Sequence, residues 1–301
     1  MDLVHPQLAA FAAVLEEGSF EAAGRRLSVT SSAVSQRIKA LEDRLGQVLV
    51  VRQPPCRPTP AGELLLRRVR PMQTLEAEAL TDFLPEKNLS ALARPIAIAV
   101  NSDSLATWFL PALAQLNRQY GYLFDVRVDD QDHTLHLLRD GSVLGAVTSE
   151  AAALQGCEVQ ALGAMRYQAI AAPDFVTRYF PAGVDAASLA LAPMIVFNRK
   201  DELQWRFVRR VTRARLAPPM HYLPTATGFV EAAALGLGWC LAPESLVQPA
   251  LAAGSIALIA PERWLDVHLY WQHAAVRSAT LQNISAEIRR AAPTSLRSKG
   301  K

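Results

Sequence analysis

In residues 19–45, SFEAAGRRLSVTSSAVSQRIKALEDRL, apolar and polar positions recur with a helical period rather than a strand period. Projected at about 100° per residue, Val34, Ile38, Leu41 and Leu45 share one narrow stripe. Ser32, Ser35, Gln36 and Lys39 fall on the opposite or flanking surface. The spacing predicts two helices joined by a tight turn. Leu8, Phe11, Ala12 and Leu15 mark an earlier helix that opens at Pro6 and closes at Gly18. Ser19 is placed to cap the second helix, and Thr30 or Ser31 the third. The β-branched run at 48–51 is followed by RQPPCRP, which holds too much proline for a helix. Three helices and a short extended hairpin describe a winged helix-turn-helix over residues 1–58, although a plain amphipathic helical hairpin fits the same spacing.

The next pattern is a long helical one. Thr59-Pro60 is a cap and first-turn pair, and Leu65, Val69, Met72, Leu75, Ala79 and Phe83 recur at steps of three and four. This predicts a linker and dimerisation segment at 59–93, the alternative being a helix packed on its own chain. Pro71 removes a hydrogen bond to residue 67 and is expected to kink it. From Pro95 the pattern changes to strand–helix alternation: strands at 95–100, 123–128 and 143–147, then at 194–197, 221–223 and 238–241, with helices near 104–116, 135–139, 202–211 and 229–235. Alternation of this kind predicts parallel sheets in two small α/β lobes. The division expected is lobe I at about 94–164 and 267–292 and lobe II at about 165–266, within a domain at 94–301, the chain crossing near 163–168 and 262–268.

Composition bounds the function. The 301 residues suit two or three domains, half of the residues being hydrophobic. No apolar run reaches membrane-spanning length and no charged-then-apolar leader opens the chain, so no membrane partner is expected. Cys56, Cys157 and Cys240 are odd in number and widely spaced, which argues for a reducing, cytoplasmic setting, with a redox-sensing thiol as the alternative. The net charge is +3, but residues 289–301 contribute five basic groups and no acid, and read as a frayed terminus. Residues 1–70 hold ten Arg and Lys against seven Asp and Glu. Such a modest basic head needs doubling in a dimer to hold DNA firmly.

Candidate chemistry follows from the elements. Ser31, Ser32, Ser35, Gln36 and Lys39 would stand near base edges, Arg37 near phosphate or a flanking base, and Arg52 and Arg57 on the wing near phosphate. In parallel α/β sheets, ligands bind beyond the carboxyl ends of strands. Ser102, Asp103 and Ser104 lie there after the first strand, where hydroxyls and helix N–H groups suit a carboxylate. Asp103 would cap the helix or face a ligand ammonium group. Asp129, Asp130 and Asp132 follow the second strand and would suit a cationic ligand, or simply face water. Thr148, Ser149, Asn198, Thr225 and Thr227 occupy equivalent strand ends. Trp108 is expected in the core. His133 and His136 share a helical spacing, but no third metal ligand is placed by it. No nucleophile elbow or phosphate loop occurs, and GLGWC at 236–240 reads as a turn. No catalytic residue, cofactor or metal is expected.

The run FAAVLEEGSFEAAGRRLSVTSSAVSQRIKALEDRLGQVLVVR, followed by RPTPAG, resembles the DNA-binding domain of LysR-type transcriptional regulators. VNSDSLATWFLPAL at 100–113, LGAMRYQAIAAPDFVTRYFP at 162–181 and LYWQH at 269–273 are similar to the arginine/lysine-responsive ArgP/LysG subgroup. Ser31 departs from that family's usual Gln, so adenine readout there would differ. The resemblance implies a homodimer or homotetramer on a double-stranded operator and periplasmic-binding-protein-like lobes that hold lysine or arginine. It also implies RNA polymerase as a further partner and an amino-acid exporter gene as target. The rival reading is a two-lobed binding protein or enzyme whose N-terminal helices serve only to dimerise it.

Overall fold

The computed structural model describes residues 5–81, 83, 95–128 and 134–298. It opens with α1 (Pro6–Glu17), α2 (Phe20–Arg26) and α3 (Ser31–Leu45). Gly18 ends α1 in left-handed backbone, φ 71°, and its N–H donates to the Val14 carbonyl. Ser19 Oγ accepts the Ala22 N–H at 3.1 Å; Thr30 Oγ1, rather than Ser31, accepts that of Ala33 at 3.1 Å. Between α2 and α3 the chain turns so tightly that a Cβ on Gly24 would stand 2.8 Å from the Val29 carbonyl oxygen. Phe11, Val14, Ala23, Val34, Ile38 and Leu41 close a small core. Leu45, on the same stripe, is 47% exposed: it is the last residue of α3 and runs past that core.

The wing is shorter than the β-branched run predicts. β1 (Val50–Val51) pairs antiparallel with β2 (Arg57–Pro58). The reason is Glu42 on α3, whose Oε1 accepts the N–H groups of Leu49 at 2.8 Å and Val50 at 3.3 Å. α4 (Pro60–Thr81) starts where Thr59 Oγ1 accepts the Gly62 N–H at 3.1 Å, and it continues as one helix through Pro71. Its first turns bury Leu66 and Val69 in the head core, while Met72, Leu75 and Ala79 face solvent, as does Phe83 beyond its end.

The second part contains strands β3 (Ile96–Val100), β4 (Phe124–Val128), β5 (Gly145–Thr148), β6 (Cys157–Ala171), β7 (Met194–Val196), β8 (Met220–Tyr222), β9 (Cys240–Pro243), β10 (Ala257–Leu258) and β11 (Trp264–Ala274). Between and after them lie α5 (Leu110–Tyr120), α6 (Thr134–Arg139), α7 (Pro173–Tyr179), α8 (Ala186–Leu191), α9 (Leu203–Val211), α10 (Gly228–Ala234), α11 (Glu244–Ala252) and α12 (Ala279–Ala291). The single helix expected near 104–116 is three joined pieces: a turn at Ser102–Ser104, a π-helical segment at Leu105–Phe109, and α5. Pro111 has no N–H to return to Thr107, and the wider segment precedes it directly.

The parallel expectation holds for part of the sheet. β3 lies between β4 and β5, parallel to both, and β7 is parallel to β8. The long strands break the pattern, because β11 is antiparallel to both β5 and β6, and β6 is antiparallel to β9 and β10. The result is a mixed, two-lobed α/β domain in which β6 and β11 run alongside each other. Their register shifts between Leu269 and Tyr270, passing over Leu162.

The basic C-terminal segment is not frayed over its described part. Leu296 is buried, and Arg297 and Ala164 exchange two backbone hydrogen bonds, at 2.8 and 2.9 Å. The Arg297 guanidinium also grips Glu244 at 2.7–3.1 Å. The docking needs Gly163, φ 133°, where a Cβ would stand 2.7 Å from the Arg297 carbonyl oxygen.

Candidate functional site

α3 presents the expected reading face. Ser31, Ser32, Gln36 and Lys39 are exposed, Ser35 and Arg37 half-buried, and Val34, Ile38 and Leu41 turn inward. The wing cations differ in freedom. Arg57 is exposed on β2, whereas Arg52 folds back onto the helices. Its guanidinium donates to Glu42 Oε2 at 3.3 Å and Ser35 Oγ at 3.5 Å, and lies 5.5 Å from the centre of the Phe20 ring. A phosphate contact by Arg52 therefore competes with contacts it already makes, and Arg57 has no such competitor among the described residues.

In the two-lobed domain the strand ends converge on a narrow cleft. One wall is Asn101, Ser102 and Asp103, following β3; the other includes Phe197, Asp201, Leu203, Gln204, Ala226, Phe229 and Leu241. The cleft volume is about 40 Å³, room for ordered water. Pockets that enclose a drug-sized ligand span roughly 300–1,000 Å³, so the cleft in this structure is far smaller than a ligand pocket.

Asp103 does not cap its helix. Its Oδ2 accepts the Tyr167 hydroxyl at 2.7 Å, which fixes a carboxylate in the cleft wall from strand β6. Ser102 lines the cleft beside it, but Ser104 is fully buried behind the wall, and its hydroxyl has no partner among the described residues. Thr148 is buried and accepts the Glu150 N–H at 3.2 Å, and neither it nor Ser149 lines the cleft. Asn198 Oδ1 accepts the Lys200 N–H at 2.7 Å, forming the turn that presents Asp201. Thr225 and Thr227 are exposed, and Thr225 Oγ1 accepts the Gly228 N–H at 3.2 Å, while Ala226 between them reaches the cleft. Asp129, Asp130, Asp132 and His133 lie outside the described residues. Trp108 sits in the core, as expected. Among the described residues no group of three or more metal-ligating side chains occurs, and no helix is long and apolar enough to cross a membrane.

Two cleft residues escape a reading by strand ends, Asp201 and Gln204. Asp201 is buried, its Oδ2 accepting the Phe197 N–H and its Oδ1 the Leu203 N–H, both at 2.9 Å. It shapes the turn between β7 and α9. Gln204 lies in the first turn of α9, fully buried among Leu203, Phe207 and Val208. The signal was a polar residue on the apolar face of a strongly amphipathic helix, LQWRFVRRV.

The head and the lobes meet along α4. Arg70 is deeply buried and donates to Glu16 Oε1 at 3.1 Å; Glu16 also binds Arg26 at 2.5 Å. Burial pushes the Arg70 guanidinium below its usual pKa against the pull of Glu16. At the α6–β5 turn, Gly141 (φ 76°) approaches so closely that a Cβ would stand 2.6 Å from the Arg67 backbone nitrogen. Further along, Glu78 Oε1 accepts the Ser278 hydroxyl at 2.5 Å and the Thr280 N–H at 2.8 Å, at the start of α12. Burial raises the Glu78 pKa, but these hydrogen bonds outweigh it and hold the carboxyl below its usual value. The three cysteines are free; burial pushes each thiol above its ordinary pKa, Cys240 furthest.

Residues 5–63 match the model of bacterial regulatory helix-turn-helix proteins of the lysR family, and residues 90–293 match the LysR substrate binding domain. The chain is 48% identical over 287 residues to the HTH-type transcriptional regulator LysG of Mycobacterium tuberculosis, covering 95% of this chain and 93% of that one. Its fold is similar to the crystal structure of ArgP from Mycobacterium tuberculosis, with TM-score 0.86, 46% identity, and 99% and 100% of the two chains covered. It is also similar to full-length LysG from Corynebacterium glutamicum with bound effector Arg, with TM-score 0.75, 40% identity, and 97% and 98% covered. A winged head followed by a two-lobed cleft, matched in that order over most of its length, makes this chain a member of the LysR family of bacterial helix-turn-helix transcriptional regulators.

Proposed function

We propose that the chain binds a two-fold-related operator as a homodimer or homotetramer and responds to arginine or lysine held in the cleft between its lobes. The observation that carries the effector assignment is Asp103, a carboxylate fixed in the cleft wall by Tyr167. A fixed carboxylate favours a cationic ligand through charge-assisted hydrogen bonds, and Ser102 beside it suits the ligand's carboxylate. The arginine bound in the corynebacterial LysG structure supports the same class. On the DNA side, Ser31, Ser32, Ser35, Gln36 and Lys39 face bases, Arg37 faces phosphate or a flanking base and Arg57 phosphate, while Arg52 reaches phosphate only by giving up Glu42 and Ser35. The exposed apolar positions Met72, Leu75 and Ala79 of α4 supply a surface for pairing with a second copy. The gene under control is a basic amino-acid exporter, the target the subgroup resemblance implies.

Effector binding shifts the heads only if the two arrangements differ in affinity for it. Calorimetry with arginine, lysine and leucine, on the intact chain and on Asp103→Ala, tests the assignment. Arginine or lysine binds more tightly than leucine, and Asp103→Ala weakens both while ligand-free operator affinity stays nearly intact. Equal binding of leucine removes the acidic-wall argument. Titration of operator DNA at several salt concentrations tests the head: a steep salt slope with preference for one palindrome supports it.

A further inference from the structure

The second-lobe wall of the cleft contains an amide that no protein group among the described residues satisfies. Gln204 is fully buried and lines the cleft, yet neither its Oε1 nor its Nε2 has a hydrogen-bond partner among the described residues. The other side chains of that wall leave it none. Phe197, Leu203, Ala226, Phe229 and Leu241 are apolar, and both carboxylate oxygens of Asp201 accept backbone N–H groups. A buried amide without partners destabilises a fold, and an apolar side chain of the same shape in its place is neutral or stabilising. Stability alone would therefore favour Leu or Met at 204. The group makes sense as one whose hydrogen bonds form when the cleft is filled.

We infer that Gln204 reads the head group of an α-amino acid effector, its Oε1 accepting from the α-ammonium and its Nε2 donating to the α-carboxylate. An amide carries its acceptor and donor side by side, as the α-amino acid carries its donor and acceptor. A cationic ligand without the carboxylate satisfies only half of it. On the first-lobe wall, Ser102 then shares the carboxylate and Asp103 is left to the rest of the ligand's positive charge. Gln204 thus separates α-amino acids from their decarboxylated amines, a discrimination that a carboxylate such as Asp103 cannot make. The inference rests on the effector reading above and adds the lobe-two contact and its selectivity.

The test uses the full chain with arginine and with agmatine, its decarboxylated counterpart, as probes. The unaltered chain binds arginine well and agmatine weakly. Gln204→Met lowers arginine affinity by about tenfold or more, as expected for lost hydrogen bonds to charged groups. It weakens agmatine less, since agmatine keeps the ammonium but lacks the carboxylate, so the preference for arginine over agmatine narrows, and it leaves the ligand-free Tm equal or higher. Gln204→Glu keeps the shape and an acceptor but loses the donor, so arginine weakens and agmatine does not. Arginine binding by Gln204→Met equal to that of the unaltered chain overturns the inference while leaving the effector reading intact. A clear fall in ligand-free Tm for Gln204→Met also overturns it, because the amide is then a structural one. Failure of the unaltered chain to bind arginine or lysine overturns both.

Discussion

The helix-turn-helix head and the effector cleft solve opposite problems with the same kinds of side chain. In the head, residues 5–58, Gln7 Oε1 alone is a buried side-chain nitrogen or oxygen without a partner among the described residues: Ser19 and Thr30 close the helix starts and Glu42 takes two donors from the wing. In the two-lobed domain, the Ser104 hydroxyl and the Trp108 and Trp239 indole nitrogens in the core, and the Gln204 amide on the cleft wall, are buried without partners among the described residues. A module whose buried polar groups are nearly all satisfied has little reason to rearrange and suits a surface that must be presented unchanged to DNA. A module with unsatisfied buried groups holds free energy that a ligand or a lobe movement can release. The difference places rigidity at the reading end and responsiveness at the sensing end.

The largest expected effect breaks the comparison at the head. Phe11→Ala removes a fully buried ring from the small core of α1, α2 and α3. The cost is about 3–5 kcal/mol, a large share of the stability of so small a core. Operator binding is lost in a mobility-shift assay, while calorimetry finds arginine binding by the lobes retained. Loss of both activities would show that the two modules do not stand apart.

An intermediate effect tests how they communicate. Gly141→Ala puts a Cβ against the Arg67 backbone at a left-handed position and costs about 1–3 kcal/mol. The α6–β5 turn must then draw away from α4. Arginine still binds, but its influence on operator affinity, measured by DNA titration with and without arginine, falls. Unchanged coupling would remove this contact from the route between lobes and heads.

The smallest effect concerns Glu78. Glu78→Gln removes the charge that faces Ser278 and the start of α12, and costs about 0.5–1 kcal/mol because the group is partly exposed. The pH dependence follows from its lowered folded pKa. The contact contributes fully above the unfolded value of about 4.3 and is lost as pH falls through the lower folded value. The stability difference between the two proteins, read from urea titrations, is therefore present at neutral pH and shrinks in acid. A constant difference across that range would assign the effect to packing.

Residues 5–81 were largely legible because their order is local. Helix caps, the stripe Val34, Ile38 and Leu41, and the turn after Gly18 are decided by residues a few positions apart. The same rules placed β3, β5 and the cleft end at Ser102–Asp103. They missed the docking of the C-terminal segment, since Leu296, Gly163 and Glu244 are far apart in the chain. They also missed the antiparallel partnership of β6 and β11, because strand–helix alternation carries no information on where a long strand returns.

By its own periodicity and capping residues, the sequence determined a three-helix head, a long following helix and an alternating α/β region. Only the tertiary structure decided which strand-end residues share one cleft and which serve turns, as Asn198 and Thr225 do. It alone showed that Asp103 is held by Tyr167 and that Gln204 is buried without a partner among the described residues. The physical reason is that a cap or a stripe is satisfied within a few residues, whereas burial and hydrogen-bond satisfaction depend on segments that meet only when the chain has folded.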